Sequence, residues 1–192
     1  MQTTRTFVAI PLGAEQTEAA CQLIEELRAQ TNGFRWVAPQ NLHLTLVFLG
    51  EIANEQISAV CAAVNRATAE AAEYELTLMG VSAFPNLDRP RTVWIGCREG
   101  AAETTALHDT IETQLVPLGC RREQRAFVPH LTIARATKHG PAARGLRATF
   151  ARLADWHGGT TRVREVQVLG SELSREGPTY TILGRCRLGT SG

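Results

Sequence analysis

The 192-residue chain lacks any run approaching the roughly 20 apolar residues that would cross a bilayer as a helix. The early run Phe7-Val8-Ala9-Ile10-Pro11-Leu12 is too short for a signal-peptide core and reads as a first strand. The expectation is a soluble, cytoplasmic protein with no membrane attachment and no obligate protein partner. Five cysteines, at 21, 61, 97, 120 and 186, are odd in number and none forms a C-x-x-C pair. A disulfide framework and a zinc ribbon are therefore not expected, and Cys21 and Cys61 read as small core residues in a reducing compartment. A charge excess is lacking too: net charge is +1, which excludes a polybasic coat for long duplexes. The cluster Arg121-Arg122-Glu123-Gln124-Arg125 is either a solvated loop or a small electropositive mouth for a phosphate.

What is present is a core-forming composition, 44% hydrophobic, in an alternation of strand and helix patterns. Strands are expected at Arg5–Ile10, Leu42–Leu49, Glu75–Val81, Thr92–Cys97, His130–Ala136, Thr161–Leu169 and Thr179–Leu188. Helices are expected at Ala14–Gln30, Asn54–Ala72 and Ala101–Leu118, with a short one at Ala142–Leu153. Pro85 to Pro90 reads as a loop.

The chain repeats itself. Subtracting 43 from 130 gives an offset of 87 at which His43-Leu-Thr-Leu meets His130-Leu-Thr-Ile and Phe7 meets Trp94. Leu76-Thr-Leu-Met-Gly80 resembles Val166-Gln-Val-Leu-Gly170 at a drifted offset of 90. Residues 1–192 thus read as a single bilobal domain of two pseudo-symmetric halves, with an approximate boundary in the loop 85–90 and a ligand cleft between lobes.

Strand periodicity puts His43 and Thr45 on one face and Leu44 and Leu46 on the other, and the second motif repeats this with His130 and Thr132. One histidine on a strand is more often structural. Two matching copies that converge on a cleft suit phosphodiester chemistry. Near neutral pH one imidazole can accept a proton while another donates one, and the threonine hydroxyls can donate to phosphate oxygens. No metal and no cofactor is required. His108-Asp109 falls in a helix without further ligands, and His139 and His157 read as exposed loop residues.

The paired motifs, with Arg5-Thr-Phe-Val-Ala-Ile-Pro, Arg35-Trp-Val, Asn41-Leu-His-Leu-Thr-Leu-Val-Phe-Leu-Gly50, Ala83-Phe-Pro, Phe127-Val-Pro-His-Leu-Thr-Ile-Ala-Arg135 and Gly177-Pro-Thr-Tyr180, resemble the two-histidine phosphoesterases. Among these they are most similar to the bacterial RNA 2′,3′-cyclic phosphodiesterases, also described as 2′-5′ RNA ligases. The resemblance spans about the whole chain. It implies an α+β fold of two antiparallel-sheet lobes with outer helices and the histidines in a central cleft. It implies hydrolysis of an RNA 2′,3′-cyclic phosphate, or of a cyclic nucleotide, to a 2′-phosphomonoester. His43 would be the proton donor and His130 the proton acceptor, with Thr45 and Thr132 on the phosphate. The residues alone leave the acid and base unassigned, because the motifs are nearly symmetric.

Further pocket candidates are Phe48, Arg135, Trp36 and Tyr180. Phe48 and Arg135 each lie five positions after a histidine, so a regular strand would turn them to the leucine face. Phe48 needs a bend or strand end to reach the ligand and is otherwise core, and Arg135 needs a twist or strand end and is otherwise a surface salt-bridge residue. Trp36 and Tyr180 could stack on a base or sit in the interior. Two other functions remain open on sequence alone. One is RNA end-joining by the reverse reaction, and the other is non-catalytic binding of a nucleotide or RNA end.

Overall fold

The computed structural model describes residues 2–138, 140, 146–174 and 177–189. The order is β1 (Thr3–Pro11), α1 (Ala14–Gln30), β2 (Phe34–Trp36), β3 (His43–Ala53), α2 (Ile57–Ala69), β4 (Tyr74–Phe84), β5 (Thr92–Cys97), α3 (Ala101–Leu115), β6 (His130–Ala136), α4 (Leu146–Arg152), β7 (His157–Val163), β8 (Glu165–Ser174) and β9 (Gly177–Arg187). His139 and residues 142–145 of the expected short helix lie outside the described residues. The amphipathic spacing read in α1 holds: Ala20, Leu23, Ile24 and Leu27 are buried, as are Leu107, Ile111 and Leu115 of α3.

The described strands make one antiparallel sheet in the order β7-β4-β5-β6-β3-β1-β8-β9, with β2 also on β6. Its waist is narrow. β3 and β6 share a single registered pair, Leu44 with Leu131, and both leucines are fully buried. On either side of the waist lies one lobe with its own apolar cluster. Leu44, Leu46 and Val47 enter the first with α2 and α3; Leu131, Ile133 and Ala134 enter the second with α1 and α4. The bilobal α+β arrangement is thus as expected.

The lobes obey the sequence repeat, with an exchange. β1 and β3 in one lobe correspond to β5 and β6 in the other. The matched segments in β4 and β8 trade places: β4 pairs β5, and β8 pairs β1. The helices cross as well, α1 packing on β7 and α3 on α2 and β3. The loop at 85–90 therefore separates the two sequence units and joins β4 to β5 within one lobe; each lobe takes strands from both sides of it.

The strand expected over Thr161–Leu169 is two strands. β7 ends at Val163 in register with Tyr74, and β8 begins at Glu165 in register with Arg187, so the chain changes partners at Arg164. Alternation of side chains runs on through that point and cannot reveal the change. His157, read as a loop residue, opens β7 and is exposed.

Candidate active site

The motif residues sit at the waist. β3 and β6 run antiparallel through the Leu44–Leu131 pair, so one step either side sets His43 across from Thr132 and Thr45 across from His130. Each histidine is held the same way. His43 Nδ1 lies 2.8 Å from the Asn41 carbonyl, and His130 Nδ1 lies 2.7 Å from the Val128 carbonyl, both two residues upstream. A carbonyl only accepts, so each Nδ1 carries the hydrogen and each Nε2 is left free for chemistry. The Asn41 side-chain amide donates to the Pro178 carbonyl at 2.9 Å, which ties the His43 anchor to the strand that carries Tyr180.

Aromatic rings wall both imidazoles. Phe7 and Tyr180 lie 4.9 and 5.2 Å from His43, and Phe84 and Trp94 lie 5.1 and 5.9 Å from His130, between ring centres. Burial is the main reason that the pKa of His43 falls to about 4 and that of His130 falls too; the nearby Arg135 guanidinium lowers both further, against the carbonyl bonds. Both rings are therefore neutral at pH 7 in the free protein. An anion arriving between them would favour the protonated form.

Two bulges complete the site. In β3 the register with β1 jumps from Val8–Val47 to Ala9–Thr45, which makes Leu46 an extra residue. In β6 the register with β5 jumps from Val93–Ala134 to Trp94–Thr132, which makes Ile133 extra. Each bulge lies three residues after its histidine and inverts the alternation. Leu46-Val47 and Ile133-Ala134 are accordingly buried as adjacent pairs. Phe48 and Arg135 thereby return to the histidine face, the bulges supplying the local bend that a regular strand lacks. Phe48 pairs with Phe7 there, 65% exposed. Arg135 is paired on one side with Arg35 and on the other with Thr92. Like charges directly across a strand pair repel, and an anion between them would relieve it.

A cavity of about 1320 Å³ opens over this face, larger than the ~300–1,000 Å³ of common small-molecule pockets. Thr45, Phe48, His130, Thr132 and Arg135 line it. Among the described residues, the hydroxyls of Thr45 and Thr132 have no hydrogen-bond partner, and Arg135 has no ion-pair partner. His43 does not line the cavity itself; it stands two residues before Thr45 on β3, in contact with the rings of Phe7 and Tyr180. The Arg121–Arg125 loop does reach the cavity through all three arginines, as do Arg89 and Arg91.

The sequence reading missed Phe7, Phe84 and Trp94 as walls of the histidines. The signal was available: Phe7 and Trp94 coincide at the repeat offset. Trp36 packs with Phe34 against the second apolar cluster and does not line the cavity. His108 is buried in α3 beside Glu112, and among the described residues no cluster of three or more His, Cys, Asp or Glu could hold a metal ion. No helix among them is long and apolar enough to cross a membrane.

A model of the 2′-5′ RNA ligase superfamily matches residues 16–175, across both motifs. The chain belongs to that superfamily. Relatives named RNA 2′,3′-cyclic phosphodiesterase include one from Archaeoglobus fulgidus, 32% identical over 92% of this chain and 96% of its own length. Another, from Thermotoga maritima, is 30% identical over 95% of each. Among solved structures, TT0787 of Thermus thermophilus superposes with a TM-score of 0.83 at 27% identity, covering 98% of this chain and all of that one. LigT of E. coli in complex with 3′-AMP superposes with a TM-score of 0.74 at 29% identity, over 97% and 99%. The duplicated two-histidine arrangement is thus that of a superfamily member along nearly its whole length.

Proposed function

We propose that this superfamily member hydrolyses RNA 2′,3′-cyclic phosphate ends to 2′-phosphomonoesters, using two histidines and no metal. The observation that carries the reading is the pair of imidazoles with matching Nδ1 anchors and free Nε2 atoms on adjoining strands. In-line displacement needs a base and an acid on opposite sides of the phosphorus, which two pseudo-symmetric groups supply. His130 Nε2 takes a proton from water as the water oxygen bonds to phosphorus. The P–O3′ bond breaks, and His43, protonated at Nε2, gives its proton to O3′. Thr45 and Thr132 donate to the non-bridging oxygens, and Arg135 offsets their charge. The acid and base roles follow the family likeness, since the geometry is nearly symmetric. Phe48 and Tyr180 offer ring faces or edges to the nucleoside.

The phosphate also accounts for how a histidine with a pKa near 4 could serve as acid. In the empty site both imidazoles are neutral. A bound phosphate anion favours the imidazolium and raises the pKa in the complex. The test is incubation with a short RNA ending in a 2′,3′-cyclic phosphate, with and without a 5′-hydroxyl RNA and with and without EDTA. The expected product is the 2′-phosphomonoester in every arm. Joined RNA as the main product would favour the ligase direction. Unchanged substrate would favour a binding protein, and loss of turnover in EDTA restored by one divalent ion would overturn the metal-free mechanism.

A further inference from the structure

Beyond the reacting atoms, α3 presents two buried titratable side chains that the mechanism does not use. His108 and Glu112 are one turn apart and so share a face, 6% and 8% exposed. His108 donates from Nδ1 to the carbonyl of Leu46 at 3.0 Å, and Leu46 is the bulge residue of the first motif. The other edge of the ring faces Glu112 Oε2 at 3.8 Å, and Phe127 stacks on it at 4.1 Å and 6°.

Glu112 reaches further. Its Oε1 accepts the backbone N–H of Glu123 at 3.0 Å. The Glu123 carboxylate in turn accepts the backbone N–H groups of Gln124 at 3.0 Å and Arg125 at 3.2 Å, which folds the loop back on itself. Arg122 donates to Thr113 Oγ1, beside Glu112, at 2.7 Å. Three neighbouring α3 side chains therefore pin the segment between α3 and β6 at residues 122, 123 and 127. After a 3-10 turn at Val116–Leu118, that segment has no regular secondary structure among residues 121–129. Arg121 and Arg125 are left exposed at the cavity, without an ion-pair partner among the described residues.

We propose that Glu112 is a positioning residue for RNA length: by holding the Glu123 backbone it sets Arg121 and Arg125 against the phosphates of nucleotides upstream of the reacting end. The proposal rests on the hydrolase reading for the identity of that end. A carboxylate at the wall of a phosphate site would by itself repel the ligand. Its use as a backbone acceptor explains why one stands there.

The test compares a cyclic-ended RNA trinucleotide with a 2′,3′-cyclic mononucleotide, which has no upstream phosphate. Glu112→Ala should raise KM for the trinucleotide about tenfold, the loss of roughly one charge-assisted contact, with kcat held. Both constants for the mononucleotide should stay at wild type, which also reports that the variant is folded. Glu112→Gln keeps an oxygen acceptor for the Glu123 N–H and should behave as wild type on both substrates. In a background with Arg121→Ala and Arg125→Ala, adding Glu112→Ala should change trinucleotide KM no further. The Kd of a non-cyclic RNA trinucleotide bearing a 3′-phosphate, read by fluorescence anisotropy, should follow the same order without needing turnover. Absence of turnover by the wild type would therefore overturn the hydrolase reading and leave this one to be judged on Kd. An equal rise in KM for both substrates, no rise for either, an effect of Glu112→Gln matching that of Glu112→Ala, or an undiminished effect in the arginine-free background would each overturn it.

Discussion

Phe48 and Arg135 occupy the same place in the two halves of the chain. Each lies five residues after its motif histidine and two residues past a β-bulge that returns it to the histidine face. The duplicated unit thus carries a histidine, a threonine and a bulge in both copies. At the fifth position after the histidine one copy has an aromatic ring and the other a cation. On the proposed mechanism, the symmetry of the scaffold supplies the acid–base pair, and the difference at this position would distinguish a nucleoside side from a phosphate side.

Because Phe48 is largely exposed, its loss should be felt in binding and not in folding. Phe48→Ala is expected to leave thermal stability within about 0.5 kcal/mol. It should weaken binding of a cyclic nucleotide by roughly 1–3 kcal/mol, the range for one base on one aromatic ring. Melting curves and KM for a 2′,3′-cyclic mononucleotide check both. A variant with unchanged KM would place the nucleoside elsewhere.

Arg135 depresses the pKa of both histidines, so removing its charge should raise both. In Arg135→Met the imidazole titrations, followed by the ring Cε1–H signals in NMR, should shift to higher pH than in wild type. Arg135→Lys keeps the charge and should shift them little. Burial remains the larger cause, so neither histidine should return to its ordinary value. Midpoints unmoved in Arg135→Met would show that the guanidinium does not act on the rings.

The duplication, the two motifs and most helices were legible because they depend on local period. Leu44 and Leu131 alternate with His43 and Thr132, and α1 places Leu23, Ile24 and Leu27 at helical spacing. What was not legible depends on partners. The bulges at Leu46 and Ile133 exist only relative to β1 and β5, so a regular strand turned Phe48 and Arg135 away from the site. Each apolar doublet, Leu46-Val47 and Ile133-Ala134, was the available hint that two neighbours share the core. The change of partner at Arg164 and the exchange of β4 with β8 between lobes leave no mark on periodicity, because both strands keep one face buried in either location.

The waist offers a sharp contrast between neighbouring residues. Leu131 is fully buried opposite Leu44, so Leu131→Ala should cost about 2–5 kcal/mol of stability. Thr132, the next residue, faces the cavity. Thr132→Ala should leave stability near wild type and cost roughly 1.5–3 kcal/mol in kcat/KM, the value of one hydrogen bond to a charged oxygen. Urea unfolding and steady-state kinetics on the same two variants check the pair. A large loss of stability in Thr132→Ala would make its hydroxyl structural.

The two histidines should be separable by the leaving group. Both His43→Ala and His130→Ala are expected to stay folded, since each ring makes a single backbone hydrogen bond to a nearby carbonyl and lies on the face away from the two large apolar clusters, where it touches only a few aromatic rings. On a cyclic RNA end both should lose turnover by about 10²–10⁴-fold, the worth of one general acid or base. A nitrophenyl phosphodiester expels a stable phenolate that needs no proton. If His43 is the acid, its loss should be largely harmless on that substrate, while loss of the base His130 still prevents activation of water. The pH dependence follows with its sign. If His43 is the acid, activity with the RNA end requires it protonated, so in the free enzyme, where its pKa is lowered to about 4, kcat/KM should fall as pH rises above that value. In the complex the bound phosphate anion raises the pKa, so the same limb of kcat should lie at higher pH. With the nitrophenyl substrate the limb due to His43 should vanish. Rescue of His130→Ala in place of His43→Ala would exchange the two roles, and full activity of either variant on the RNA end would end the two-histidine mechanism.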